Sequence, residues 1–262
     1  MDLKAFKRTL LYQRTAAPAA VRSDLATIRS LDDLAERRQL QGALGCTAAL
    51  VAAIAAFGVV AATEGATWSW VLLGLTFVAA VVGELWVLAG RRVDVPNQRY
   101  ELLDQVLALL ALDLAEDPVE VRLDLGAKVD GPWLVLRGRL RDATALGLEA
   151  ADGPAAGDAV PAAFTVELRP EPNRYHDLAA LGRAADAVVR LPEGAALDEL
   201  SIEDDRLRLR AVTEGAWRAT PPGEAAWTVG PEPEGDEVVA LALLSLYHVL
   251  NLSGALTAAR AG

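Results

Sequence analysis

Two long apolar segments constrain this chain more than any other feature of its sequence. Residues 43–62 contain no charged side chain, and residues 68–89 contain only Glu84. Each segment is long enough to cross a hydrocarbon core of about 30 Å as a helix, in which every backbone group is paired without help from water. Residues 63–67 leave room for a tight external turn. The sequence therefore predicts a transmembrane hairpin of two antiparallel helices.

Apolar segments of this length also occur in soluble helical pairs and in signal peptides. The buried helices of a soluble protein, however, usually carry a polar stripe. A signal peptide has a short charged region before its apolar part, whereas 42 residues precede this one. The membrane hairpin therefore stays the main prediction.

Charged and aromatic residues around the two segments predict their orientation. Arg residues precede the first segment and follow the second, and the linker has no basic residue. Both termini are therefore expected in the cytoplasm, because basic flanks stay inside. Trp68 and Trp70 are expected at the outer membrane interface, and Trp86, Arg91 and Arg92 at the inner one.

Glu84 is the one ionisable residue in the predicted membrane segments. An intramembrane carboxylate is a functional candidate, here for an ion or proton pathway. The alternative is a carboxylate that reaches headgroup water or pairs with an arginine, since Arg91 lies seven residues further along the chain. Both roles remain open.

Small residues recur at four-residue spacing in both apolar segments. This spacing lets two helices approach closely, either within the hairpin or between copies in a homo-oligomer. The residues concerned are Ala48, Ala52, Ala56, Gly58 and Ala62 in the first segment, and Ala79 and Gly83 in the second.

The composition narrows the class of partner and compartment. A formal net charge of −11 argues against a nucleic-acid partner, which requires clustered basic residues. Arg supplies all but three of the 25 basic residues, and the chain is rich in Ala, Leu, Gly and Asp. This bias is typical of a GC-rich bacterial genome. We therefore expect a two-pass protein of the bacterial inner membrane, with the lipid bilayer and an unidentified protein as partners.

Residues 1–42 are expected to form a cytoplasmic amphipathic helical arm. Val21, Leu25, Ile28, Leu31 and Leu34 repeat at helical spacing. The first eleven residues carry a second short apolar stripe among basic residues. That stripe suits either an anionic membrane surface or packing on the cytoplasmic domain.

Residues 93–262 are expected to form an acidic cytoplasmic α+β domain, with 15 basic and 29 acidic side chains. Short segments of alternating apolar and polar residues follow one another through turns. This order predicts an antiparallel sheet or partial barrel packed by helices at 97–115 and 237–259. The expected strands are 119–125, 133–141, 144–150, 164–168, 187–191, 200–203 and 206–213, with Trp217 and Trp227 in two edge strands.

Residues 238–256 carry no formal charge and are long enough to cross a membrane. Ser245, His248 and Asn251 nevertheless form a polar stripe at helical spacing. Such a stripe fits a helix packed on a sheet better than one facing lipid. A third transmembrane helix remains the alternative.

No catalytic, metal-binding or cofactor-binding motif occurs in the sequence. Glycine-rich phosphate loops, nucleophile elbows and metalloprotease motifs are all missing. Cys46 lies inside the first apolar segment, and His176 and His248 each follow a tyrosine without forming a recognisable site. We therefore predict no catalytic residue, no metal and no cofactor, and expect a non-enzymatic interaction or scaffold protein.

Two arginine trios form the strongest candidate binding site. Alternate positions on a strand share one face, and guanidinium groups bind phosphate or carboxylate in a bidentate fashion. If the two strands are neighbours, the trios would form an anion- or nucleotide-binding face of a membrane receptor; otherwise, acidic residues would pair with them on a solvated face. The trios are Arg137, Arg139 and Arg141, and Arg206, Arg208 and Arg210.

Overall fold

The computed structural model of this chain describes residues 1–62, 67–91, 96–114, 117–126, 129–153, 160–171, 188–203, 205–219 and 232–261. The chain divides into two compact units. The sheet unit comprises Met1–Leu25 and Pro96–Gly262, and the apolar helical unit comprises Ala26–Val95.

Among the described elements, strands β2 to β7 follow one another in the chain without a helix between them, as the sequence predicts. The helices are α1 (Leu3–Thr9), α2 (Pro18–Ala62), α3 (Thr67–Arg91), α4 (Asn97–Leu109) and α5 (Gly235–Ala261), with a 3₁₀ turn at Leu110–Leu112. The strands are β1 (Leu11–Ala16), β2 (Val119–Asp124), β3 (Pro132–Arg139), β4 (Ala145–Asp152), β5 (Ala162–Arg169), β6 (Ala195–Ile202) and β7 (Leu207–Thr213).

These seven strands form one antiparallel sheet in the order β1-β2-β3-β4-β5-β7-β6. The predicted antiparallel α+β arrangement is confirmed. Among the described strands, β1 and β6 lie at the edges of the sheet. Strand β1 interrupts a segment expected to be helical. It pairs with β2 from Leu11 opposite Asp124 to Ala16 opposite Val119.

The core of the sheet unit lies between one face of the sheet and its helices. Helix α4 packs on β3 and α5, and α5 packs on β5 and β7. Strand burial alternates, so that Leu134, Leu136, Phe164 and Leu209 are fully buried on the helix side. Each large apolar side chain buried in this way stabilises the fold by about 1.5–3 kcal/mol.

The predicted turn at Asp142-Ala143 is confirmed between β3 and β4. The carboxylate of Asp142 accepts a hydrogen bond from the backbone N–H of Thr144 at 3.0 Å. Ala143 adopts a positive φ of 67°. A side-chain cap of this kind stabilises the reversal of the chain and so fixes the register of the two strands.

Three expectations about the strands and helices were wrong. Residues 188–191 do not form a strand, and α4 ends at Leu109 because the chain tightens into the 3₁₀ turn. Trp217 is not in an edge strand; its ring stacks on Trp133 with centroids 5.7 Å apart. Burial of that aromatic pair in the core outweighs the strand propensity of Trp217. Ala187 and Trp227 lie outside the described residues.

Two of the described helices are long and apolar enough to cross a membrane. They are Pro18–Val59 within α2, whose most apolar window is 11% buried, and Gly235–Leu252 within α5, whose window is 50% buried. The half-buried apolar window of α5 fits a helix packed on the sheet, as the contacts of α5 with β5 and β7 indicate. The described apolar stretch of α3, Leu73–Leu85, is shorter.

Candidate ligand-binding face of the sheet

The face of the sheet opposite its buried apolar side chains is polar, and we call it the open face. On β7 the buried side chains alternate with half-buried ones, and on β2 with side chains that are exposed or half-buried. Strand register places oppositely charged residues next to each other across this face. One row across the sheet contains Thr15, Glu120, Arg137, Gly147, Glu167, Arg208 and Ser201.

The structure places four of the six arginines of the two trios on one sheet, but not on neighbouring strands. Arg137 and Arg139 lie on the open face of β3, and Arg208 and Arg210 lie on that of β7. Strands β4 and β5 separate the two pairs. Arg206 precedes β7, so only two members of the second trio occupy strand positions.

Arg141 lies apart from the other arginines, in the turn that follows β3. Its backbone N–H donates a hydrogen bond to the carbonyl of Asp113 at 2.8 Å. The side chain lines a shallow cavity of about 360 Å³ with Asp113, Asp142 and Tyr247. It therefore does not extend the row formed by Arg137 and Arg139.

Acidic side chains pair with three of the six arginines. Arg206 donates to Glu203 at 2.8 Å, and these hydrogen bonds lower the pKa of Glu203. Arg210 lies 3.1 Å from Asp198. Arg137 lies 3.8 Å from Glu120, and all three pairs are substantially exposed. Each pair therefore contributes little stability, because water screens it.

Arg139 and Arg208 differ from these three arginines. Within the described ranges, neither forms an ion pair with a carboxylate. The Nε atoms of Arg208 and Arg210 are both shielded from solvent without a hydrogen-bond partner among the described residues, so this feature does not distinguish Arg208 from Arg210.

A groove of about 620 Å³ crosses the centre of the open face. Its floor lies at Gly147 on β4, where the lack of a side chain leaves a depression between two charged neighbours. Its lining includes Arg137, Glu149, Thr165, Glu167, Arg169 and Arg208.

Arg169 is a site residue that was not predicted from the sequence. It lies at the end of β5 opposite Ala145, which in turn lies opposite Arg139. Only the order of the strands brings these arginines together. Arg169 donates to Glu167 at 2.6 Å and so neutralises the carboxylate nearest the groove floor.

The apolar helical unit holds the remaining predicted site residues. Glu84 is exposed on α3, and the thiol of Cys46 lies 3.9 Å from its carboxylate. Helices α2 and α3 approach closely here. A Cβ atom added at Gly83 would lie only 2.8 Å from the Cys46 sulfur. Trp70 is exposed at the start of α3.

The other interface residues are placed only in part. Trp68 and Trp86 lie within α3, and Arg91 is its last residue, but their side chains are not described. Arg92 lies outside the described residues. A homo-oligomer through the small-residue faces stays a prediction.

The structure describes one of the two histidines. His248 is exposed on α5, and His176 lies outside the described residues. Ser245 is buried and accepts a hydrogen bond from the backbone N–H of Arg190 at 3.0 Å. The predicted polar stripe is therefore buried at Ser245 and exposed at His248. Among the residues described, no group of three or more His, Cys, Asp or Glu could hold a metal.

Comparisons with known proteins identify no relative. No family model matches the chain, and neither a curated protein nor a solved structure matches it.

Proposed function

We propose that this chain is an anchored interaction protein of the bacterial inner membrane, without enzymatic activity of its own. In this proposal, residues 43–62 and 68–89 form a two-pass transmembrane hairpin with both termini in the cytoplasm. The acidic α+β domain then presents the open face of its sheet to a protein partner.

The exposure of apolar side chains in the helical unit supports the anchor. Leu50, Ile54 and Phe57 on α2 and Leu75 and Phe77 on α3 are each more than 60% exposed. Soluble monomers rarely present so continuous an apolar surface to water, whereas lipid stabilises it. The close approach of Cys46 and Gly83 supports packing of the two helices as a hairpin.

The open face is the observation that carries the interaction role. It is enriched in basic residues relative to the domain: among the described residues it holds six basic side chains and six acidic ones, whereas residues 93–262 contain 15 basic and 29 acidic residues. All six basic side chains are arginines, the basic residue that protein interfaces favour over lysine. They are Arg122, Arg137, Arg139, Arg169, Arg208 and Arg210.

Site-specific photocrosslinking of the full-length chain in cells tests this role. A photoreactive residue replaces Thr165 on the open face or, as a control, Leu112, which is 77% exposed outside the sheet. We expect a discrete crosslinked partner from position 165 and none from position 112. Arg210→Glu should remove the crosslink from position 165. Identical patterns from both positions, or none from either, would contradict an interaction role of the open face.

A further inference from the structure

The groove on the open face has a basic end and an acidic end. Near Gly147, the flanking positions on β3, β5 and β7 are Arg137, Glu167 and Arg208. In the next row, Arg139 and Arg169 flank Ala145. Three of these arginines, Arg137, Arg169 and Arg208, line the groove. Since neighbouring strands lie about 4.8 Å apart, their long side chains can converge on a group bound above the small residues of β4.

The opposite end of the groove holds one carboxylate, that of Glu149. Glu149 lies four residues along β4 from Ala145, a distance of about 13 Å at the rise of a strand. Its direct neighbours across the sheet are Val135 and Thr165, and the arginines of the same row, Arg122 and Arg210, lie two strands away on either side. Within the described residues, the carboxylate of Glu149 therefore remains available as a hydrogen-bond acceptor.

We propose that this groove binds a phosphorylated small molecule whose far end donates hydrogen bonds, as a nucleotide does. The phosphate lies above Ala145 and Gly147 among the arginines, and the donor end reaches Glu149. This inference rests on the proposed function only in taking the open face as the binding surface. It adds a small-molecule ligand of that face.

The chemistry of the groove favours phosphate at the basic end. Guanidinium groups donate paired hydrogen bonds to phosphate oxygens. Arg169 is paired with Glu167, so Arg137 and Arg208 supply the net positive charge of the groove. The volume of about 620 Å³ lies within the range of small-molecule sites.

Calorimetric titration of the full-length chain in detergent tests the proposal. The probes are adenosine monophosphate, adenosine and inorganic phosphate, each titrated separately. We expect the monophosphate to bind at least about tenfold more tightly than either fragment, because both ends of the groove are then engaged.

Three variants locate the binding site. Arg208→Gln removes the shielded donor, and Gly147→Val fills the floor. A Cβ at position 147 makes only ordinary contact with Glu167, at 3.6 Å, so the second variant should fold. Both should weaken binding of the monophosphate at least about tenfold. Arg190→Gln, exposed and outside the sheet, should leave the affinity within about twofold.

Three results would overturn the proposal. These are no binding of the monophosphate, equal affinity for inorganic phosphate, and equal loss of affinity in Arg190→Gln. The photocrosslink from position 165 separates this failure from failure of the proposed function. A crosslink that persists without nucleotide binding contradicts only the groove proposal, whereas nucleotide binding without a crosslink contradicts only the protein-interaction role.

Discussion

Asp24 joins the first strand of the sheet to the start of α2. Its carboxylate accepts hydrogen bonds from the hydroxyl of Tyr12 at 3.0 Å and from the guanidinium of Arg14, and lies 3.7 Å from the amino group of Met1. Burial alone would raise the pKa of Asp24, but these hydrogen bonds outweigh it and lower the pKa. Burial, and then the bond to Asp24, raises the pKa of Tyr12.

We expect Asp24→Asn to lower the free energy of unfolding by about 1–3 kcal/mol at neutral pH, because it weakens charge-assisted hydrogen bonds. The lowered pKa means that the folded chain releases this proton more readily than the unfolded chain. The stabilisation that the ionised Asp24 carboxylate contributes is therefore complete above the ordinary aspartate pKa of about 3.9. It is lost as the pH falls below that value and through the lower pKa of the folded chain. Urea unfolding of the full chain in detergent at several pH values measures both effects.

The exposed Asp130 supplies the control for that experiment. Asp130→Asn should leave the free energy of unfolding within about 0.5 kcal/mol of the native value. If the gap between Asp24→Asn and the native chain stayed constant from pH 7 to pH 3, the lowered pKa would not be contributing to stability.

Arg99 secures α4 to the ends of two strands. Its buried guanidinium donates to the carbonyls of Asp124 and Gly126 at 3.1 and 2.9 Å, pairs with Asp152 at 3.2 Å and lies 5.3 Å from the ring centroid of Trp133. We expect Arg99→Met to lower the free energy of unfolding by about 3 kcal/mol, because it leaves these acceptors unpaired.

The same arginine-to-methionine substitution on the open face tests whether the loss of stability is specific to Arg99. Arg122 is exposed on β2, and Arg122→Met should change the free energy of unfolding by less than about 0.5 kcal/mol. Equal losses in the two variants, measured by near-ultraviolet circular dichroism during urea unfolding, would rule out the anchoring role of Arg99.

At the scale of elements, strands with one buried face were the most predictable part of the fold. Apolar and polar side chains alternate in 119–125 and 206–213, and the structure has strands β2 and β7 there. Strand β1 was not predicted, because its six residues alternate too weakly and are stabilised by pairing with β2, over 100 residues away. Tertiary contacts of this kind leave no local signal.

Helices α2 and α3 offer a test of packing between elements. We expect Gly83→Ala to destabilise their contact by about 1–3 kcal/mol, because its Cβ would lie 2.8 Å from the sulfur of Cys46. Cys46→Ala removes that sulfur and should relieve most of the loss in the double variant. Unfolding of the four proteins by sodium dodecyl sulfate measures this coupling, and additive losses would show that the two residues do not meet.

At the scale of the whole molecule, the candidate site was predictable only in part. The sequence identifies Arg137, Arg139, Arg208 and Arg210 as residues at alternate strand positions, and these lie on the open face. It does not identify Arg169 or the floor at Gly147, because both depend on the order of strands in the sheet. A groove built from four strands is a property of the assembled sheet rather than of any segment.

The proposed anchor predicts that identical substitutions have opposite consequences in the two units. Ile54 and Phe57 are 67% and 63% exposed in the apolar helical unit, while Leu109 and Leu112 are 49% and 77% exposed in the sheet unit. An aspartate at the centre of a lipid-facing helix costs about 2.5–3.5 kcal/mol, whereas water accommodates it readily. We therefore expect the double variant Ile54→Asp/Phe57→Asp to leave the membrane pellet on alkaline carbonate extraction. The matched variant Leu109→Asp/Leu112→Asp should stay with the native chain in the pellet. If both variants extracted alike, the exposed apolar side chains of α2 would not be in contact with lipid, and the two-pass anchor would have to be abandoned.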